Sequence, residues 1–218
     1  MGEGWVVLGD PSEEIARHLA WDLLTLPAPQ VRALPVREVA VVLPRSRDPH
    51  REVYLQNCER DHVPVVRRPS GGGAVVLAPG VVTVSALAPL TGPRNTSQLF
   101  TRFCGLVSHA LQRLEVPPLQ LRGVSDLCLG DRKVVGSSLR LLLKTVLFQA
   151  SVLVDADLSL LDRYLPFPSR APDYREGRPH RDFVTTLAKA GFPRQPEVVA
   201  AALEHEFRQA LASDGGSG

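Results

Sequence analysis

Residues 67–75 read Arg-Arg-Pro-Ser-Gly-Gly-Gly-Ala-Val, and the three adjacent glycines constrain the fold of this chain more than any other feature. Three residues without a Cβ let the backbone turn sharply and let another group approach it closely. Apolar runs at residues 63–66 and 74–77 bracket the glycines, so we predict a loop that joins two buried strands. The paired arginines add positive charge that cannot be titrated away. The segment therefore indicates either a plain turn or a cradle for a phosphate or carboxylate.

Composition narrows the classes of partner. The 218 residues include 25 basic and 23 acidic side chains, a formal net charge of +2 that is too balanced to indicate nucleic-acid binding. No apolar run approaches the length of a membrane span, and the first residues lack the parts of a secretory signal. The three cysteines, Cys58, Cys104 and Cys128, show neither metal-site spacing nor a disulfide framework. We therefore expect a cytoplasmic protein with reduced thiols that binds neither nucleic acid nor membrane.

Hydrophobic periodicity predicts an α/β or α+β domain. Apolar positions at helical spacing predict helices over residues 11–27, 97–114, 182–190 and 196–211, with Cys104 in the core. Apolar, β-branched runs predict strands at residues 39–43, 63–66, 73–77, 81–87, 127–129, 134–143 and 146–154. The last three follow one another closely, as in an antiparallel meander. Residues 166–182, rich in proline and charge, form a long connection that is either a mobile lid or an irregular surface segment.

A second segment, residues 125–138, reads Ser-Asp-Leu-Cys-Leu-Gly-Asp-Arg-Lys-Val-Val-Gly-Ser-Ser. Its Gly-Asp pair predicts a tight turn between two strands, and Lys133 follows that turn directly. Gly136 interrupts an otherwise apolar strand, which is typical of a place where a ligand or another backbone approaches closely. Taken alone, Lys133 fits an exposed turn lysine better than a functional residue, because most lysines are exposed.

Together, the two segments resemble the lipoate-protein ligase and octanoyltransferase family, which is related to biotin protein ligases. The patterns Arg-Arg-x-Ser-Gly-Gly-Gly-Ala-Val and Gly-x-x-Lys-Val-Val-Gly-Ser carry the resemblance, and weaker similarity extends over roughly residues 13–210. The resemblance implies mixed, largely antiparallel β-sheets flanked by helices. It also implies one catalytic domain, which we expect over residues 1–212. Many ligases carry a small C-terminal accessory domain, but we expect none here because little room remains for it, and residues 213–218 indicate a flexible tail.

The resemblance implies roles for individual residues. Lys133 would be catalytic, beside the acyl carbonyl and the α-phosphate, where a fixed ammonium stabilises developing negative charge. The acyl-adenylate pocket would be formed by Arg68, Ser70, Gly71, Gly72, Gly73, Ala74, Val75, Gly136 and Ser137. Asp126 is a candidate metal or ligand contact, and an aspartate that merely starts a strand is the other interpretation. A hydrophobic acyl chain needs an apolar slot, for which Val75, Val135 and Val152 are candidates.

The implied function is ATP-dependent activation of lipoate to lipoyl-AMP, followed by transfer of the lipoyl group to a lysine of a lipoyl carrier protein. The implied cofactors and substrates are ATP, Mg²⁺, and lipoate or octanoate. The expected acceptor is a lipoyl carrier domain, and the need for a separate accessory chain is left open.

Two alternatives stay open from the sequence. An acyltransferase would use a cysteine thioester, with Cys128 as nucleophile, because the nearby ammonium of Lys133 lowers a thiol pKa. Against it, Cys128 faces the other side of its strand if Leu127 and Leu129 face the core. A non-catalytic paralogue that needs a partner chain is the second alternative, because residues 149–151 are Gln-Ala-Ser where many family members have His-Gly-Thr. The intact lysine and glycine motifs argue against it.

Overall fold

The structure, a computed structural model, describes residues 6–92 and 94–214. Its strands are β1 (Val6–Leu8), β2 (Gln30–Pro35), β3 (Ala40–Pro44), β4 (Val65–Arg68), β5 (Val75–Leu77), β6 (Val81–Pro89), β7 (Gln120–Arg122), β8 (Asp126–Leu129), β9 (Arg132–Leu141) and β10 (Thr145–Leu153). Its α-helices are α1 (Glu13–Leu19), α2 (Pro49–Glu52), α3 (Leu55–Arg60), α4 (Thr96–Gln112), α5 (Ser159–Tyr164), α6 (His180–Phe183) and α7 (Pro196–Asp214). Single turns of 3-10 helix lie at Asp22–Thr25 and Asp173–Arg175.

The strands form two sheets. The larger sheet has the strand order β2-β6-β10-β9-β8-β7, and each neighbouring pair is antiparallel. The smaller sheet has the order β1-β4-β3-β5, in which β3 and β4 are parallel and the other two pairs are antiparallel. The fold predicted from the sequence, with mixed and largely antiparallel sheets flanked by helices, is confirmed, including the meander of β8, β9 and β10.

One face of the larger sheet packs on α4 and α7 and forms the main core. Phe148 of β10 stacks with Phe103 of α4 and Phe207 of α7, with ring centroids 5.1 and 5.7 Å away. Cys104 is buried in the same core, and burial raises the pKa of its thiol to about 11, as expected for an inert core cysteine. Because strand side chains alternate between faces, the residues between these core positions point to the opposite face of the sheet.

The helix predicted over residues 11–27 is broken. Ser12 caps α1, since its hydroxyl accepts a hydrogen bond from the backbone N–H of Ile15 at 3.2 Å. The helix ends at Leu19 because Ala20 adopts the left-handed conformation, with φ at 60°. Only a 3-10 turn continues the apolar pattern beyond it.

The prediction of a helix over residues 182–190 is wrong. The helix α6 ends at Phe183, and the chain beyond it extends along the larger sheet. The backbone N–H of Thr185 donates to the carbonyl oxygen of Lys133 at 2.9 Å, and that of Leu187 donates to the carbonyl oxygen of Leu153 at 2.8 Å. These hydrogen bonds to two strands replace those that a helix would have made, so tertiary contacts override the local periodicity.

The C-terminal helix α7 runs to Asp214, two residues into the tail that the sequence predicted. The rest of that tail, residues 215–218, lies outside the described residues. Within the described part of the chain, every helix is too short or too polar to cross a membrane.

Candidate functional site

A cavity of about 430 Å³ is lined by both sheets and by residues of the segment 168–184. It brings together the two segments that the sequence singled out. From the glycine segment, the cavity is lined by Arg68, Gly72, Gly73, Ala74 and Val75; from the second segment, it is lined by Asp126, Lys133, Gly136 and Ser137. Two further predicted site residues support the loop from behind: Ser70 is buried, and the N–H of Gly71 donates to the carbonyl of Leu139 at 3.4 Å.

The guanidinium of Arg68 holds the glycine loop in place. Its Nη2 donates to the carbonyls of Gly71 and Gly73 at 2.6 and 2.9 Å, and its Nε donates to Ser70 Oγ at 3.2 Å. Burial lowers the pKa of Arg68 to about 10, so the group stays protonated at pH 7. The sequence placed this charge next to a ligand. In the structure its donors are used to set the conformation of the loop.

The ammonium of Lys133 rests over Gly136. A Cβ on Gly136 would lie 3.0 Å from both Cε and Nζ of Lys133, so the missing side chain leaves the room that the lysine occupies. Nζ also pairs with Asp126 Oδ1 at 2.6 Å. From the other side, Val184 forms a parallel bridge with Lys133. The result is a positioned cation whose side chain is still 26% exposed, in the cavity that the glycine loop also lines.

A buried chain of hydrogen bonds connects the glycine loop to the larger sheet. Ser70 Oγ donates to Gln149 Oε1 at 2.6 Å and lies 2.8 Å from Ser138 Oγ. Gln149 Nε2 donates to the carbonyl of Leu19 at 3.1 Å and to Ser85 Oγ at 3.4 Å. Both ends of the Gln149 amide are therefore engaged. Because an amide neither gains nor loses a proton near neutral pH, Gln149 anchors the loop and does not act as an acid or base.

The sheet face that lines the cavity is polar. Two rows of paired residues cross β9, β10 and β6 here: Ser138, Gln149 and Ser85 in one row, and Gly136, Ser151 and Thr83 in the next. Val135 and Val152, predicted to help form an apolar slot, occupy the alternate positions and pack in the main core, so the prediction is wrong for both. Val75 does line the cavity, together with Leu161 of α5.

The connection at residues 166–182 is irregular, and it forms a wall of the cavity. Tyr174 Oη donates to Asp126 Oδ2 at 2.8 Å, and Arg178 Nη1 donates to Asp131 Oδ2 at 2.9 Å. These two bonds tie the segment to the hairpin that carries the candidate catalytic lysine. Burial and the neighbouring Asp126 carboxylate raise the pKa of Tyr174, so its hydroxyl remains a donor at neutral pH.

Arg175 also belongs to this wall, although it is not among the site residues predicted from the sequence. It is only 3% exposed, and its guanidinium carbon lies 4.6 Å from the ring centroid of Phe167 and 4.8 Å from that of Phe183. Its Nη2 is one of two buried side-chain nitrogen or oxygen atoms within residues 6–92 and 94–214 that lack a hydrogen-bond partner. A buried guanidinium with an unused donor suits an anionic ligand group. The sequence offered no signal, because a charged, proline-rich segment resembles a solvated surface.

Cys128 has the wrong surroundings for a nucleophile. It is fully buried, and its Sγ donates to Tyr174 Oη at 3.7 Å. Burial raises the pKa of the thiol, and the opposing effect of the Lys133 ammonium is smaller. A reactive cysteine requires a lowered pKa and access to its substrate, and Cys128 has neither.

The donor set around Asp126 does not by itself form a metal site. Both carboxylate oxygens are bound, one to Lys133 and the other to Tyr174. In the described ranges, no three histidine, cysteine, aspartate or glutamate side chains converge as metal ligands. A metal contact at Asp126 stays a sequence-based prediction.

Residues 21–208 match a protein-family model described as the lipoyl protein ligase A/B catalytic domain. The chain belongs to this family. A probable lipoate-protein ligase A of Mycoplasma genitalium is 33% identical over 127 residues, which are 57% of this chain and 37% of that protein. The chain therefore spans just over a third of the length of this curated relative.

Solved ligase structures have the same fold. A lipoate-protein ligase A bound with ATP superposes with a TM-score of 0.74 at 22% identity, over 89% of this chain and 79% of that chain. A bipartite lipoate protein ligase from Thermoplasma acidophilum superposes with a TM-score of 0.76 at 20% identity, over 94% and 82% of the two chains. The lipoyl protein ligase A/B fold thus accounts for the arrangement of both sheets around the cavity.

In this member of the lipoyl protein ligase A/B family, the fit of Lys133 over Gly136 gives a direct prediction. We expect Gly136→Ala to lower catalytic turnover by about 10²-fold, because the added Cβ displaces the lysine tip and misplaced groups lose rate steeply. The free energy of unfolding should change by less than about 1 kcal/mol, since only a flexible side-chain end has to move.

The matched control is Gly105→Ala on α4, where an added Cβ meets no atom within 4 Å. This control should retain full turnover and gain about 1 kcal/mol of stability, because alanine is the better helix former. Turnover and thermal unfolding, measured on both variants, check the prediction. Wild-type turnover in Gly136→Ala would contradict the placement of Lys133.

Proposed function

We propose that this chain is the catalytic domain of an ATP-dependent lipoate-protein ligase. In the first step, a carboxylate oxygen of lipoate attacks the α-phosphorus of ATP, forming lipoyl-AMP and releasing pyrophosphate. In the second, the ε-amine of a carrier lysine attacks the acyl carbonyl, forming an amide and releasing AMP. The observation that carries the proposal is the Lys133 ammonium, which is positioned over Gly136 in the same cavity that the glycine loop lines.

Both steps build negative charge that fixed cations stabilise. Charge develops on the α-phosphoryl oxygens in the first step and on the acyl oxygen in the second. Lys133 supplies an ammonium that is already oriented by Asp126 and by the absence of a side chain at Gly136. Arg175 supplies a second cation with an unpaired Nη2 in the cavity wall. Because both groups are held before the reaction, little reorganisation is needed when charge appears.

The cavity also suits an acyl-adenylate in size. Its volume of about 430 Å³ lies within the range of small-molecule sites, and the bare backbone at Gly72 and Gly73 allows close approach of a ligand. An added Cβ at Gly73 would meet no atom within 4 Å, so open space adjoins the loop there. The apolar side of the cavity, which includes Val75 and Leu161, is where we place the acyl chain.

Relatives support the choice of substrates and acceptor. One structural relative is a lipoate-protein ligase A bound with ATP, and another is a bipartite ligase studied with its E2 lipoyl domain. We extend ATP, lipoate and a lipoyl carrier domain to this chain as part of the proposal. Since that relative is bipartite, we include a separate accessory chain as a candidate partner. The three cysteines are free thiols, which agrees with a reducing, cytoplasmic location.

The deciding experiment measures pyrophosphate release from ATP with and without lipoate, followed by mass spectrometry of an added lipoyl carrier domain. We expect lipoate-dependent release and a lipoyl group on a carrier lysine. The Cys128→Ala variant should keep both activities, since the buried thiol takes no part. If lipoate does not increase pyrophosphate release, either with or without an accessory chain, the proposed ligase function is contradicted. Loss of transfer in Cys128→Ala, with a stable acyl group on Cys128 in the wild type, would support the thioester alternative instead.

A further inference from the structure

In the transfer step, a base must accept a proton from the carrier lysine. A free lysine amine has a pKa near 10.4, so it is protonated at pH 7 and must lose a proton before it attacks a carbonyl. Gln149 is a fully bonded amide, and Cys128 is buried with a raised thiol pKa. Neither residue can accept the proton, so the base must be another cavity residue with an available lone pair.

His180 lines the same cavity as the candidate catalytic lysine. It begins α6, and its carbonyl accepts a hydrogen bond from the N–H of Val184 at 2.9 Å. Val184 in turn pairs with Lys133. One helical turn, about 5.4 Å of rise, therefore separates His180 from the residue that lies beside Lys133. His180 and Lys133 therefore lie on adjoining segments of the chain that both line the cavity.

The partner of one ring nitrogen assigns the tautomer of His180. Nε2 lies 3.2 Å from the carbonyl oxygen of Pro166, and a carbonyl oxygen only accepts hydrogen bonds. In the neutral ring, Nε2 therefore carries the hydrogen and Nδ1 keeps its lone pair. Within the described residues, Nδ1 has no hydrogen-bond partner, and it is not among the buried unpartnered atoms. The basic nitrogen is thus not sealed off from solvent, and it belongs to a residue that lines the cavity.

Burial, with a smaller effect of two nearby cations, lowers the pKa of His180 and keeps its imidazole neutral. Burial lowers the pKa of His180 below its ordinary value of 6.5, and the cations Arg175 and Lys133 lower it further. The carbonyl of Pro166 and the carboxylate of Asp162 raise the pKa, but less than burial lowers it. At pH 7 the ring is therefore in the form that can accept a proton.

We propose that Nδ1 of His180 is the general base of the transfer step, an inference that rests on the proposed ligase function. Nδ1 first takes one proton from the carrier ammonium, and the freed amine nitrogen then forms its bond to the acyl carbon. The second proton, which the amide nitrogen does not keep, passes to water. The bond between the acyl carbon and the AMP oxygen then breaks, and AMP departs with the bonding electron pair. The imidazolium returns the proton to water, which restores the neutral ring. The bond from Nε2 to Pro166 orients the ring throughout.

The test supplies synthetic lipoyl-AMP and a lipoyl carrier domain, so that transfer is measured without ATP activation. His180→Gln is the informative variant, because a glutamine amide can still donate to Pro166 but has no basic lone pair. We expect its transfer rate to fall by about 10²-fold, with a clear fall in the ratio of transfer to adenylation. His205→Gln, on the exposed side of α7, is the matched control and should transfer at the wild-type rate.

Two further measurements exclude a purely structural role. The wild-type transfer rate should rise with pH through a pKa below 6.5 and then level off, and His180→Gln should lack this inflection. Added imidazole should restore part of the rate in His180→Ala, because it replaces the base but not an anchor. Wild-type transfer by His180→Gln would overturn the proposal, and so would a failure of imidazole to rescue a folded His180→Ala. If the wild-type protein transfers the lipoyl group from lipoyl-AMP but releases no pyrophosphate from ATP, the proposed ligase function is contradicted. The role of His180 as base in the transfer step would still be supported.

Discussion

Replacement of Lys133 by alanine is expected to reduce lipoyl-AMP formation by about 10²–10³-fold, because it removes a positioned cation from the charge that develops in both steps. The fold should persist, since the backbone of Lys133 keeps its bonds to the neighbouring strand and to Thr185. The carboxylate of Asp126 loses its cation but keeps the hydroxyl of Tyr174, so we expect about 1–3 kcal/mol of lost stability. Single-turnover pyrophosphate release and thermal unfolding measure the two effects.

A double variant separates lost catalysis from an uncompensated carboxylate. Lys133→Ala with Asp126→Asn removes both charges, so its stability should recover towards the wild-type value while its turnover stays low. If turnover recovered together with stability, the effect of Lys133 would be structural, and its catalytic role would be contradicted.

The sequence predicted the glycine loop and Lys133 because both are local signals. Adjacent glycines and a lysine directly after a tight turn are visible without knowledge of the fold. Which residues meet in the cavity depends on the register of the larger sheet, and that register is not visible in the sequence. In it, Gly136 of β9 pairs with Ser151 of β10, and Ser151 pairs with Thr83 of β6. Only the resemblance to a ligase family predicted that the two segments belong to one site.

The predictions that failed depended on which way a residue faces or on long-range bonds. Val135 and Val152 have the right chemistry for an acyl slot, but strand alternation turns both into the core. The helix expected after Phe183 is replaced by hydrogen bonds to strands that lie far away in the sequence. Arg175 was missed for a related reason: its burial comes from Phe167 and Phe183, which close around it only in the folded chain.

The structure also changes the reason for a strong effect at Gly72. From the sequence alone, a side chain at Gly72 would be expected only to hinder the close approach of another group to the backbone. In the structure Gly72 has φ at 99°, a conformation that a β-branched residue adopts only with strain of about 1–3 kcal/mol. A Cβ would also lie 3.0 Å from Nη2 of Arg68, the group that bonds to the carbonyls of Gly71 and Gly73. A side chain at Gly72 would thus disturb the support of the loop before any ligand arrives.

Gly72→Val is therefore expected to weaken lipoyl-AMP binding by about 10²-fold and to lower stability, because the loop and the Arg68 guanidinium must both move. Calorimetric titration with lipoyl-AMP and thermal unfolding test this. Gly73→Ala is the matched control, since an added Cβ meets no protein atom there and stability should stay unchanged. If Gly73→Ala binds more weakly while folding normally, the ligand itself fills the space beside the loop. Normal affinity in Gly72→Val would mean that the loop is not a wall of the acyl-adenylate site, because a loop displaced from Arg68 cannot present the same backbone to a ligand.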